Sequence, residues 1–138
     1  MSAETNKAVV RRLFEEVMKG NLSVADELIA EDYAQHSVLG IPDGREGFKQ
    51  FFVAFAAAAP DAHFVIDDVI AEGDKVVIRL TVTGTQTGAL QGIPPTGKTF
   101  SMKGIDIFRL VDGRIVEHWD AVDQLGMLQQ LGVIPTLP

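Results

Sequence analysis

Asp120 lies in the run Trp119-Asp120-Ala121-Val122, a carboxylate with apolar neighbours along the chain. Desolvation disfavours the charged form of a carboxyl group, so such a residue is a stronger base than one in water. Removing a proton from carbon beside a carbonyl needs a base of this kind and a donor for the enolate oxygen that develops. Asp106 and His118 stand close by in the pattern. Segments 98–110 and 114–122 are rich in Val, Ile, Thr and Phe and read as two strands of a hairpin. If Val111-Asp112-Gly113 forms a three-residue loop, Leu110 pairs with Arg114 and Asp106 faces His118, with Asp120 one step along on the same face. A two-residue turn at Asp112-Gly113 would instead send Asp106 and Asp120 to opposite faces. Two carboxylates sharing an apolar pocket do not both ionise readily: one keeps a proton and donates, the other is a base, or a His118 imidazolium neutralises one of them.

Helices precede these strands. Val10, Leu13, Phe14, Val17 and Met18 recur as one apolar helical stripe that Gly20 ends. Ser23 and Asp26 resemble a capping box opening a short helix to about Ala30, and Asp32 to Leu39 reads as a polar-aromatic connection. Phe48, Phe51, Phe52 and Phe55 mark one face of a third helix closed by Pro60. Two further strands are expected at 64–71 and 75–85, joined at Glu72-Gly73-Asp74. A last short helix, 124–131, has Asp123 as its N-cap and Gly132 as its stop. Helices followed by consecutive antiparallel strands make an α+β layer fold, and a strongly curved sheet with helices on one face can enclose a pocket. Phe51 and Phe55 would wall that pocket, or simply fill a core.

The 138 residues suit a single domain, 1–138, and carry a net charge of −7 with no cysteine. Disulfides, thiolate metal sites and cysteine nucleophiles are thereby excluded. Scattered Lys and Arg on an acidic chain argue against nucleic acid. No apolar run is long enough for a membrane helix and no signal peptide is evident, so the expected location is the cytoplasm. The three histidines, His36, His63 and His118, have no metal-ligand spacing, and no metal is expected. His63, after Pro60-Asp61-Ala62, is expected in solvent. Trp119 alternates with Asp120 and points to the other face, where it covers the sheet or meets a partner.

Leu90-Gln91-Gly92-Ile93-Pro94-Pro95-Thr96-Gly97-Lys98 and the run from Phe108 through Asp120 into Asp123 to Gly132 resemble the SnoaL-like polyketide cyclases, or ester cyclases. These belong to the nuclear transport factor two-like superfamily. Asp32-Tyr33 and the first helix fit as well. The resemblance implies a cystatin-like, cone-shaped α+β barrel with a curved, mostly antiparallel sheet wrapped around helices. It also implies an intramolecular aldol ring closure on a polyketide methyl ester without metal or organic cofactor. The family's aspartate acid/base falls on Asp120. A polar residue on the preceding strand, histidine in the antibiotic-pathway cyclases, falls on Asp106, and a polar amide falls on Gln35 with His36 beside it. The departure at Asp106 points to a different substrate. The expected catalytic pair is Asp120 and Asp106. The expected lining for a small apolar or polyketide-like substrate is Gln35, His36, His118, Phe14, Phe51, Phe55, Met102 and Phe108.

Other chemistries are known on this superfold. Ketosteroid isomerases pair an aspartate with a first-helix tyrosine, where this chain offers Phe14. Limonene-epoxide-hydrolase-like members use an Asp-Arg-Asp set, and Arg79-Leu80-Thr81 lacks the second acid. A non-catalytic ligand-binding or dimerising domain is the rival from another class. A homo-oligomer is expected, with Ile105, Ile107 and Trp119 on the covered face.

Overall fold

A computed structural model describes residues 2–138. Helix α1, Ala3–Met18, starts at Ser2, whose hydroxyl accepts from the Thr5 amide at 3.1 Å. Its stripe Val10, Leu13, Phe14 and Val17 is buried, while Met18 is 41% exposed at the stripe's end. Helix α2, Val24–Leu28, is shorter than expected and has no capping box. Ser23 is itself helical in backbone and its hydroxyl bonds Asn21 at 2.5 Å instead of the helix amides.

The chain then enters strand β1, Ile29–His36, where a connection was expected. Asp, Glu, Ala and Gln are poor strand formers, so no local signal marks it. Its partner lies some eighty residues away: β1 runs parallel to β5, with Gln35 opposite His118 and His36 opposite Trp119. Helix α3, Gly44–Ala58, follows and packs on β1.

Strands β2 (His63–Glu72), β3 (Lys75–Thr85), β4 (Thr99–Val111) and β5 (Arg114–Val122) form the antiparallel part. The five-stranded sheet has the order β1-β5-β4-β3-β2. It is curved but open, with β1 and β2 as its edges, so the cone expected as a barrel is not closed into one. Helix α4, Gln124–Gln130, is capped by Asp123, which accepts from the Gly126 amide at 2.9 Å, and packs on β4. No helix among the described residues is long and apolar enough to cross a membrane.

The β4–β5 hairpin has the second of the two turns weighed above, but not the consequence attached to it. Val111 pairs with Arg114, so the turn is the two-residue Asp112-Gly113, both residues having positive φ (49° and 78°). Taken alone, that turn would put Asp106 and Asp120 on opposite faces. A bulge intervenes: Leu110 pairs with Ile115 but Arg109 pairs with Glu117, leaving Val116 unpaired. The extra residue flips the rest of β5. Asp106 therefore faces Asp120, and His118 faces Phe108. The expected common face is present, reached by a different turn and with the partners exchanged.

The inner face of the sheet carries the core. Val76, Ile78, Leu80 and Val82 of β3 and Phe100, Met102, Phe108 and Leu110 of β4 are buried beneath Leu13, Phe14 and Phe55. Among these apolar side chains the same face holds two buried polar ones, Asp106 and His118.

Candidate active site

Between the helices and the inner sheet face lies a cavity with about 630 Å³ of empty space, its mouth included. Phe14 comes from α1, Phe51 and Phe55 from α3, and Met102 and Phe108 from β4. Phe48, Phe52 and Phe64 extend the aromatic wall, and Leu39 and Ile41 of the β1–α3 connection close one side. The rings are in contact: Phe51 and Phe55 lie 5.9 Å apart, Phe14 and Phe108 6.0 Å. The polar groups gather at one end. They are Tyr33 and Gln35 from β1, Asp106 from β4, and His118 and Asp120 from β5.

A hydrogen-bonded chain runs through this end. Gln35 Nε2 donates to Tyr33 Oη at 3.2 Å, which leaves its Oε1 to accept from His118 Nδ1 at 2.5 Å. His118 Nε2 meets Asp106 Oδ1 at 2.7 Å, with both side chains buried. The imidazole is stacked against Phe108 at 4.7 Å and Tyr33 at 6.4 Å, so its plane is fixed as well as both its nitrogens. Burial pushes the Asp106 carboxyl up from its ordinary value; the His118 bond and charge pull against that, and the facing Asp120 adds to the rise. Burial likewise pushes the Tyr33 phenol far up, keeping its proton on oxygen.

Asp120 is held differently. Ser37 Oγ donates to its Oδ2 at 2.6 Å and the Val38 amide to its Oδ1 at 2.8 Å. One atom each of Asp106, His118 and Asp120 fall within 4.8 Å of one another, a grouping that could also take a metal ion. His118 Nε2, however, is already engaged by Asp106.

The structure thus brings Gln35, Asp106, His118 and Asp120 together and keeps His36 apart. Strand alternation turns Gln35 inward and His36 outward. His36 bonds Glu117 at 2.8 Å and stacks on Trp119 at 5.4 Å, 20° from parallel, on the far side of the sheet. Glu117 also accepts from Arg109 at 2.9 Å, and the His36 and Arg109 bonds hold its carboxyl below the usual range. His36 is an anchor of the outer face and not part of the cavity. His63 is exposed on β2, as expected. Sequence reasoning passed over Tyr33 and Ser37 as functional groups. The only signal that could have found them is the pairing of β1 with β5, which no local pattern announces.

Comparison with known proteins agrees with this geometry. The family model for the SnoaL-like polyketide cyclase matches residues 8–131. The nogalonic acid methyl ester cyclase of Streptomyces nogalater is 35% identical over 117 residues, 82% of this chain and 87% of that protein. The aklanonic acid methyl ester cyclase DauD of Streptomyces sp. (strain C5) is 32% identical over 128 residues, 90% of this chain and 80% of the relative. The structure of TsrD from Streptomyces laurentii superposes with a TM-score of 0.88 at 30% identity, covering 97% of this chain and 99% of that one. An open curved sheet with a buried acid group at the end of an aromatic cavity, and a family match over nearly its whole length, place the chain: it belongs to the SnoaL-like polyketide cyclase family, within the nuclear transport factor two-like superfamily.

Proposed function

We propose that this chain catalyses an intramolecular aldol ring closure on a polyketide-like ester, with Asp120 as the acid/base and no need of a cofactor. The observation that carries the reading is the contrast between two facing carboxyls at the polar end of an apolar cavity. Asp106 is buried, its affinity for a proton raised by that burial. Asp120 is pinned by two donors at the rim of the same group.

In this account Asp120 takes a proton from carbon beside a carbonyl. The enolate oxygen accepts a hydrogen bond from the Tyr33 hydroxyl, which accepts from Gln35 and keeps its own proton on oxygen. The carbanionic carbon attacks a second carbonyl of the same molecule, one carbon–carbon bond forms, and the resulting alkoxide takes the proton back from Asp120. No atom is gained or lost. The aromatic wall from Phe14 to Phe108 holds the chain folded, which supplies the proximity that an intramolecular reaction requires. The related enzymes named as methyl ester cyclases support a polyketide methyl ester as the substrate class. Asp106 in place of histidine favours a substrate unlike theirs.

A binding domain without turnover is the rival, and the same bonds lend it support: Ser37 and Val38 could use Asp120 only to fasten a loop. The Asp120→Asn variant separates the two. On a deprotonatable β-keto ester its turnover is expected to fall by at least ~100-fold with the melting temperature unchanged. Unchanged turnover with unchanged stability ends the enzymatic reading.

We further propose that a second copy of the chain covers the outer sheet face. Register lines up Ile70, Val77, Ile107 and Trp119 in one row across four strands. Ile105 is half exposed beside that row.

A further inference from the structure

The base and the cavity's rim are tied to each other. Residues 37–43 connect β1 to α3 and contribute Leu39 and Ile41 to the wall. This segment is fastened from two sides. On one side Ser37 Oγ and the Val38 amide hold the two oxygens of Asp120, at 2.6 and 2.8 Å. Ser37 Oγ also accepts from the Leu39 amide at 3.0 Å, which closes the segment into a tight turn. On the other side Gln91 Nε2 donates to the Leu39 carbonyl at 3.1 Å.

Gln91 sits at the tip of the β3–β4 connection, and that tip is built to stay in place. Leu90 and Ile93 exchange backbone bonds of 3.0 and 2.8 Å around Gln91-Gly92. Behind it the fully buried Gln86 spends its whole amide on the loop, donating to the carbonyls of Ile93 and Pro94 and accepting from Thr96 N and Oγ1. A fixed post therefore stands on one side of residues 37–39 and the Asp120 carboxylate on the other.

An aspartate near the end of an edge-adjacent strand can turn about its Cβ–Cγ bond. Donors on separate oxygens fix the plane of the carboxylate and leave its remaining lone pairs in a set direction. We propose that Ser37 is the positioning residue for Asp120, and that residues 37–41 form a cover whose seating over the cavity and whose alignment of the base are one event. Lifting the cover to admit a substrate breaks the Gln91–Leu39 bond and strips Asp120 of both donors. Reseating restores them and shuts the polar end from water. The catalytic half of this inference rests on Asp120 as the base; the mechanical half does not.

The two halves are tested on the full chain by amide hydrogen exchange and steady-state kinetics. Asp120→Ala is expected to speed exchange of the Val38 and Leu39 amides by at least about tenfold without raising exchange in α1, a local opening. Gln91→Ala should speed the same amides. Equal exchange of these amides in wild type and Asp120→Ala overturns the cover, whatever the activity. Ser37→Ala should lower kcat by about tenfold with KM within about twofold, the pattern of a lost orienting hydrogen bond, and Ser37→Thr should restore most of it. If Ser37→Ala keeps full kcat while Asp120→Asn abolishes turnover, the positioning role is wrong and the base reading stands. Turnover by Asp120→Asn would instead remove the base reading and leave the exchange result to judge the cover.

Discussion

Asp106 and Asp120 are directly paired across β4 and β5, yet they meet different surroundings. Asp106 sits among Phe108, Ile78 and His118, where burial raises its affinity for a proton. Asp120 meets a hydroxyl and an amide. This difference has a consequence for stability. A carboxyl whose folded value is raised contributes stability that is fully present below the ordinary aspartate value and is lost as the pH rises through the folded one. Melting temperatures of wild type and Asp106→Asn, compared from about pH 4 to about pH 7, should therefore diverge in the variant's favour as the pH increases. A difference that stays flat over that interval contradicts the raised value. Asp106, His118 and Asp120 were all legible as residues, because strand composition and the resemblance both point to them. Gln35 and His36 were legible only as a pair. Choosing between neighbours on a strand takes the alternation of that strand, and β1 does not read as one.

The site depends on one irregularity of one hairpin. Asp112-Gly113 makes a two-residue turn, and the bulge at Val116 supplies the extra residue that brings Asp120 back to the inner face. The hairpin signal and both strand boundaries are plain in the sequence, as are β3, α1 and α3. The bulge is not, since Ile115-Val116 looks like any strand pair and only the partner strand shows which residue is left over. Gly113, at a φ of 78°, occupies backbone that a side chain disfavours. Gly113→Ala should cost about 1–2 kcal/mol in denaturant unfolding, and β4–β5 amides should lose protection first. An unchanged midpoint would mean that the turn does not hold the register. The capping box expected at Ser23 failed for a similar reason: a four-residue pattern does not say which backbone conformation its first residue adopts.

The two faces of the sheet divide the molecule's work. The inner face and α1 and α3 enclose the aromatic cavity, while the outer face carries the Ile70–Val77–Ile107–Trp119 row and the His36–Glu117–Arg109 cluster beside it. The α+β layering was legible because apolar periodicity changes from helical to alternating near residue 62. The sheet stays open because its edge strands β1 and β2 do not pair, and β1 reaches its edge through a long-range parallel pairing with β5. If a second copy covers the outer face, Trp119→Asp should lower the mass measured by light scattering to that of one chain. An oligomer that persists in this variant would place the interface elsewhere.

The central claim is that Asp120 removes a proton from carbon next to a carbonyl. Its most direct measurement is exchange of that proton for deuterium, followed by NMR on a β-keto methyl ester in heavy water. Wild type is expected to speed exchange at the position between the carbonyls, and folded Asp120→Asn to slow it by at least ~100-fold towards the uncatalysed rate. Equal exchange with wild type and Asp120→Asn would contradict it.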